Sequence, residues 1–333
     1  MFSLSEPQSK EEWNDAAVSL GASFAQSFEY GEMQKKMGRK VIRCILKKDG
    51  DLVGILALIS FPLPFSKCYL YAPFGPALKD SSEDVLRFLK EKISEIVKKE
   101  GAVFARLELP KEANGKKVFV KPRGRAKEGS YFQPRTDWQL SLVNSNEEII
   151  QNMNQSARRA LRRSEENNVI TEILPVTDKS VQKDFFSLMN DTAKRNNFRL
   201  HAENYYVGAL ESLKESSAFF VRTKVLGETV VTLLIFVFGK EAMYLFGASS
   251  DDKKESGATL FSQLKAMEEA RERGALIYNF GAVSSHSGAS KFDGITTFKK
   301  KFGGYEKWHG DFFDIVGSPL FYTLYVIRKF LRI

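Results

Sequence analysis

Residues 243–280 read MYLFGASSDDKKESGATLFSQLKAMEEARERGALIYNF. A strand, Met243 to Phe246, breaks at Gly247. A helix is predicted from about Gly257 to Arg273, with Leu260, Leu264, Met267 and Ala270 at the spacing of a buried stripe. Gly274 stops it, and Ala275 to Phe280 forms the next strand. Upstream, Phe219 to Val225, the turn Leu226-Gly227-Glu228 and Thr229 to Phe238 make a hairpin. The same order occurs once before. Val41 to Leu46, an Asp49-Gly50 turn and Leu52 to Ser60 are followed by the strand Cys68 to Tyr71. A helix capped at Ser81/Ser82 then runs to Lys99, burying Val85, Phe88, Leu89, Ile93, Ile96 and Val97; after Gly101 comes the strand Ala102 to Leu109. Tyr69-Leu70-Tyr71-Ala72 aligns with Tyr244-Leu245-Phe246-Gly247, and Glu100-Gly101-Ala102 with Arg273-Gly274-Ala275. A unit used twice predicts two like α/β (α+β) domains.

The bulk properties fit that reading. A chain of 333 residues with 43% hydrophobic content can fill two cores. Its net charge of +9 points to an anionic partner, or to ordinary solubility charge. Two cysteines, Cys44 and Cys68, sit in strand-like runs without metal spacing, so neither a disulfide framework nor a metal is predicted. The three histidines, His201, His286 and His309, pair with no nucleophile in a recognisable motif. The start, MFSLSEPQSKEEW, is polar and acidic and does not read as a secretory signal. The longest apolar run, Val230 to Phe238, is far below the roughly 20 residues of a membrane span. A cytoplasmic protein is predicted.

Between the two copies, Lys111 to Arg135 reads as a basic loop, and Asp137 to Leu142 as a strand. Asn146 is predicted to cap one continuous helix whose stripe is Ile149, Ile150, Met153, Ala157, Ala160 and Leu161. Arg158, Arg159, Arg162 and Arg163 fall off that stripe as a basic face, either solvated or phosphate-binding. Thr177 to Arg195 and Glu203 to Leu213 read as helices flanking Arg199, with Tyr205 in the second. A strand from Trp308 to Val316 and a final helix from Leu320 to Ile333 close the chain.

After Phe280 comes a small polar loop, Val283 to Asp293, and then residues 294–304, GITTFKKKFGG. Phe298-Lys299 places a cation beside a ring on a segment flanked by glycines; the plain alternative is a solvated charge run. Gly294, Phe298-Lys299 and Phe302-Gly303-Gly304 resemble the closing motif of the FemABX family of aminoacyltransferases, which build the interpeptide bridges of peptidoglycan. The basic helix around Ser156-Ala157-Arg158-Arg159 and the strand Asp137 to Leu142 also resemble family segments, and the likeness covers essentially the whole chain.

The resemblance implies two tandem GNAT-like domains, residues 1–141 completed by 317–333, and 142–316, with no coiled-coil arm. It implies aminoacyl transfer from aminoacyl-tRNA, as co-substrate rather than cofactor, to the stem-peptide amine of a lipid-linked or nucleotide-linked peptidoglycan precursor. The polar start and the lack of a long apolar run predict membrane contact that is peripheral only, at the inner face; the basic, aromatic end at Leu320–Ile333 either docks there or packs on the first domain. Aminolysis of an activated ester needs no enzyme nucleophile, so the missing Ser/His/Asp set fits. By resemblance, Lys299 would stabilise the oxyanion, with Phe298 shaping the pocket. Glu108, where the family usually has Asp, would orient the attacking amine or take its proton; otherwise it is a surface carboxylate. Lys35 or Lys36, with Arg199, would hold the precursor's diphosphate, and Tyr205, Tyr244 and Phe246 would line the substrate channel, core packing being their alternative. Arg158, Arg159, Arg162 and Arg163 would meet tRNA. Two other readings share the fold. One is a GNAT-like N-acyltransferase using an acyl-thioester, disfavoured because Lys254-Glu255-Ser256-Gly257-Ala258 is a poor cofactor loop. The other is a non-catalytic tRNA- or membrane-binding module.

Overall fold

The structure, a computed structural model, describes residues 1–109, 118–119, 135–196, 200–214, 217–251, 253–284 and 293–331. The chain opens with β1 (Phe2–Ser5), α1 (Lys10–Ser19), α2 (Phe28–Lys36), β2 (Val41–Lys48), β3 (Asp51–Leu63), β4 (Lys67–Tyr71), β5 (Ala77–Leu78), α3 (Glu83–Lys99) and β6 (Phe104–Leu109). A second unit follows: β7 (Thr136–Ser141), α4 (Asn146–Asn152), α5 (Gln155–Glu166), β8 (Ile170–Pro175), α6 (Lys179–Asn196), α7 (Glu203–Ser212), β9 (Ala218–Val225), β10 (Glu228–Phe238), β11 (Glu241–Ser249), α8 (Ala258–Glu272), β12 (Ile277–Ala282), α9 (Asp293–Lys300) and β13 (Tyr305–Trp308). The chain then returns to the first unit with β14 (Asp311–Val316) and α10 (Pro319–Leu331).

The repeat read from the sequence is present in both units. The first sheet runs β1-β2-β3-β4-β6-β14 with β5 on β3; the second runs β13-β7-β12-β11-β10-β9-β8. In each sheet one pair is parallel, β4 with β6 and β11 with β12. In each, a helix supplies the crossover that a parallel neighbour requires. On α8 that helix buries the expected stripe, Leu260, Leu264, Met267 and Ala270; on α3 it buries Val85, Leu89, Ile93 and Val97 of the expected stripe together with Leu86, which was not expected, while Phe88 and Ile96 are half-buried.

The boundaries differ from the expected ones. The units are residues 1–135 with 309–333, and residues 136–308, rather than a division after 141 and after 316. The segment Thr136–Ser141 pairs with β12 and β13, so it belongs to the second sheet. The single strand expected from Trp308 to Val316 is two strands in different sheets: β13 pairs with β7, and β14 pairs with β6 from Asp311↔Leu109 to Val316↔Phe104. A buried ion pair fixes the return. Arg106 donates twice to the Asp314 carboxylate, at 2.8 and 2.7 Å, and the Tyr322 hydroxyl on α10 donates to the same group at 2.7 Å.

The helix expected from Asn146 is also two. Ser145, not Asn146, caps α4 and forms a capping box with Glu148. Met153 is extended (ψ 151°), and the Asn154 side chain accepts the Ala157 N–H to start α5. An Asn that caps its own following turn competes with helix continuation, and the apolar stripe alone does not register that. The basic loop expected over 111–135 lies almost entirely outside the described residues.

Candidate active site

The segment expected as an open motif after a loop is helical from Asp293 to Lys300. Thr296 and Lys299, three residues apart, face inward. Phe298 packs on the second unit's core. Its ring stands edge-on to Phe302 at 5.5 Å, and Phe302 lies 5.1 Å from Phe280. The three lysines therefore differ sharply. Lys299 is only 6% exposed. Lys300 is exposed, pairs with Glu306 at 3.2 Å and sits 5.0 Å from the Trp138 ring, while Lys301 is partly buried. A solvated run does not describe Lys299. Gly303 and Gly304, at φ +78° and +99°, press the chain onto β7, where a Cβ at 304 would come within 2.3 Å of the Gln139 carbonyl oxygen. Trp138 Nε1 secures the turn by donating to the Gly303 carbonyl at 2.7 Å.

The Lys299 ammonium donates to the Ala282 carbonyl at 2.6 Å, at the end of β12. Burial pulls its pKa down to about 8, against the opposing pull of the Asp137 carboxylate. Behind it lies a buried polar net. Asn279 Nδ2 donates to Asp137 Oδ2 (3.0 Å) and Glu241 Oε1 (2.9 Å), Gln139 Nε2 donates to Glu241 Oε2 (3.1 Å), and the Gly281 N–H donates to Asn279 Oδ1 (2.7 Å). Sequence reasoning missed Asp137, whose charge acts on this lysine, and Asn279, which holds Asp137 in place. The available signal was polar residues inside strands otherwise bound for the core. A buried ammonium that titrates near neutrality can donate to a developing oxyanion or, once deprotonated, accept a proton.

Glu108 lies in the first unit and is not a surface carboxylate. It is 2% exposed near the end of β6. Its Oε1 accepts the Tyr71 hydroxyl and the Phe74 N–H (3.1 Å), while Oε2 has no hydrogen-bond partner among the described residues. Burial pushes the carboxyl up to about 7, although Tyr71, Phe74, His309 and Arg135 all pull the other way. Tyr71, whose own ionisation burial and the Glu108 charge suppress, was read only as a strand residue. A carboxyl poised near pH 7 is what a general base requires.

The proposed phosphate residues separate. Lys35 and Lys36 are both exposed on the last turn of α2, but Lys35 lines a cavity of about 540 Å³ with Lys10, Lys40 and Arg43, and Lys36 does not. These cations are already balanced: Lys35 by Glu32 (2.9 Å), Lys10 by Glu29 (2.6 Å) and Lys40 by Glu100 (2.7 Å). Arg199 lies outside the described residues.

The expected aromatic channel is split. Tyr205 and Phe246 meet at 5.9 Å, beside Tyr206 and Phe185. Tyr244 turns instead to the α8 side, packing on the core there and bonding to Gln263. A bulge is the reason. Leu234 pairs with Phe246 and Ile235 with Tyr244, leaving Leu245 as the extra residue. That insertion breaks the two-residue alternation which would put Tyr244 and Phe246 on one side. Tyr244 is partly buried, and its hydroxyl lies so close to Gly247 that a Cβ there would be 1.8 Å away.

The four arginines of α5 all lie off its buried side, which is Ala157, Ala160, Leu161 and Ser164, but two of them use donors within the fold. Arg158 donates to the Gln151 and Met153 carbonyls, closing the α4–α5 junction, and Arg163 Nε donates to the Glu255 carbonyl at 2.8 Å. Arg159 and Arg162 are exposed, three residues apart.

A profile of the FemAB family matches residues 123–233 and 227–329, a span that includes α5, the Lys299 helix and the closing glycine pair. The chain belongs to the FemAB family. Among curated relatives, the lipid II:glycine glycyltransferase of Staphylococcus saprophyticus is 23% identical over 91% of this chain and 90% of its own length. The crystal structure of FemX superposes with a TM-score of 0.85 at 20% identity, covering 97% of this chain and 99% of FemX. A tandem GNAT protein from the clavulanic acid pathway aligns at a TM-score of 0.52 and 10% identity over 96% of this chain and 99% of its own. The tandem GNAT-like fold of this FemAB protein is thus shared beyond its family. Among the described residues, no helix is long and apolar enough to cross a membrane.

Proposed function

We propose that this FemAB protein moves an aminoacyl group from aminoacyl-tRNA to the stem-peptide amine of a peptidoglycan precursor. The observation that carries the reading is the singling-out of Lys299. In a run of three lysines the family-motif residue is the buried one, held on the Ala282 carbonyl with its pKa drawn down to about 8. In this reading its ammonium meets the oxyanion formed when the amine attacks the aminoacyl ester, and Phe298 closes the pocket beside it. Glu108, its carboxyl near 7, takes a proton from the acceptor ammonium; the neutral amine attacks the ester carbonyl, the ester C–O bond breaks, and the ribose oxygen of the tRNA leaves as a hydroxyl with that proton. Lys35 rather than Lys36 faces the precursor's phosphates. A lipid-linked acceptor, as in the name of the staphylococcal relative, brings the protein to the inner membrane face.

The acyl-thioester reading is disfavoured by the start of α8. Gly257, at φ +81°, lets α5 lie against it so closely that a Cβ there would be 1.9 Å from the Ala160 carbonyl oxygen. A helix N-terminus covered by neighbouring backbone offers a pyrophosphate little access to its N–H groups. The deciding experiment incubates the protein with a mixed charged-tRNA pool and purified lipid-linked precursor, then reads product mass. An increment of one or more aminoacyl residues is expected. Acetyl transfer from acetyl-CoA, with none from charged tRNA, would replace this reading with the other.

In this reading Arg159 and Arg162, exposed on α5, meet tRNA phosphates. Changing both to Gln should weaken tRNA binding and lower the slope of log affinity against log salt by about 2, without altering which amino acid is transferred. The same change at Arg158 and Arg163, whose donors are used within the fold, should act chiefly on thermal stability. Equal salt slopes for the Arg159/Arg162 variant and the parent would return these residues to the role of a solvated face.

A further inference from the structure

The β3–β4 hairpin ends in a tight turn at Pro64-Phe65-Ser66-Lys67, where the Lys67 N–H donates to the Pro64 carbonyl at 3.3 Å. Both central residues are left-handed, Phe65 at φ +60° and Ser66 at φ +52°. Such turns are normally occupied by Asn-Gly or Gly-Gly, because a side chain with a Cβ is strained there. A phenylalanine in this position is costly twice over, since its ring is also 81% exposed. Strain and exposure kept together at one tip call for a use.

Beside the tip runs α10. Leu320, Leu324 and Ile327, at i, i+4 and i+7, form an outward stripe, 69%, 48% and 47% exposed. A groove of about 830 Å³ is lined by Leu63, Phe65, Val103, Phe321, Leu324 and Tyr325, with Lys67, Arg328 and Lys329 completing its wall. No acidic residue lines it among the described residues. Lys67 Nζ lies 5.0 Å from the Phe321 ring, so a cation and an aromatic ring share the same wall.

We infer that this face docks on an anionic phospholipid bilayer. Phe65 and the α10 stripe enter the boundary between headgroups and acyl chains, and the groove receives an acyl chain. Lys67, Arg328 and Lys329 lie level with the phosphates. An aromatic tip, an apolar helix stripe and basic groups along one wall are the arrangement of a peripheral membrane contact, the wall having the sign that matches anionic headgroups. The inference rests on the chemistry of this face, so it can fail while the proposed reaction stands, and the reverse.

The test is co-sedimentation of the 333-residue chain with phosphatidylcholine vesicles, with and without phosphatidylglycerol. Binding is expected to the anionic vesicles and to be much weaker on phosphatidylcholine alone. Phe65→Gly is the decisive variant, because glycine adopts the turn's φ without strain. The protein should keep or gain thermal stability while its vesicle partition falls about tenfold or more. Leu324→Ser should act in the same direction, and Arg328→Gln with Lys329→Gln should weaken binding and flatten its salt dependence. Excess glycerol phosphate, the headgroup anion without acyl chains, should compete poorly. Unchanged partition of Phe65→Gly and Leu324→Ser, or full displacement by glycerol phosphate, would overturn the inference. So would a lipid-free dimer that Phe65→Gly abolishes, since the face would then bind a second copy of the chain.

Discussion

Replacing Lys299 with Met is expected to slow aminoacyl transfer by about a hundredfold or more, the loss typical of removing one aimed oxyanion donor. Methionine keeps the length and apolar stem of lysine, so the helix should still pack through Phe298 and Thr296. The Ala282 carbonyl loses its 2.6 Å donor. Because the lost contact is one the transition state uses, the rate constant should fall and precursor affinity should stay nearly level. Lys300→Met and Lys301→Met serve as internal controls. Lys300 pairs with Glu306 at the surface, so changes at these two positions should cost a fewfold at most. The pH profile adds a second readout. Lys299 is an ammonium below about 8 and neutral above it. An oxyanion role therefore predicts activity falling as pH rises through about 8, and Lys299→Met should lose that alkaline limb. An alkaline rise through the same pH would assign Lys299 the role of base instead. Three small, similar effects from the three lysines would remove it from the reaction.

Glu108→Gln carries the other large effect. Gln preserves the size of the side chain and its contacts with Tyr71 and Phe74, yet cannot take a proton. Losing a positioned base should lower turnover by about a hundredfold to ten-thousandfold. The parent's activity should rise through about pH 7 as Glu108 ionises, and the variant should lack that acid limb.

Stability should move the opposite way. The folded-state pKa of about 7 lies above the ordinary 4.5, so burial favours the protonated carboxyl. Its contribution is fully present below about 4.5 and is lost as pH rises through about 7, a swing of about 3 kcal/mol at most. Relative to the parent, Glu108→Gln should therefore be more stable at pH 8 than at pH 4, as read from denaturant midpoints. A variant with normal turnover but this same stability difference would leave Glu108 a buried structural acid.

The stretch at 243–280 was legible because its information is local. Helix stripes at three- and four-residue spacing, glycine stops at Gly101 and Gly274, and the Asp49-Gly50 hairpin are each written within a few turns of chain, and they gave the repeated unit in its correct order. The Phe298-Lys299 motif and its glycine pair were equally visible, as was the family they belong to. Only the tertiary structure decided which sheet a strand joins. Thr136–Ser141 and Asp311–Val316 both have strand composition, and nothing in either segment says that the first leaves for β12 while the second returns to β6. Strand partners are chosen by distant surfaces, not by the strand's own residues. The same reason hid the chemistry. Lys299, Lys300 and Lys301 are identical in type and adjacent in sequence, and their difference comes from α9 docking over Ala282. The sequence left Glu108 open between a site acid and a surface carboxylate, and the contacts with Tyr71 and Phe74 show it buried. Tyr244 faces away from Tyr205 and Phe246 because one extra residue, Leu245, bulges against β10. Local sequence carries the repeated unit and the closing motif, though not the break at Met153 or the one between Trp308 and Asp311. Long-range packing decided the burial, and burial sets the pKa values of Lys299 and Glu108 on which the proposed reaction depends.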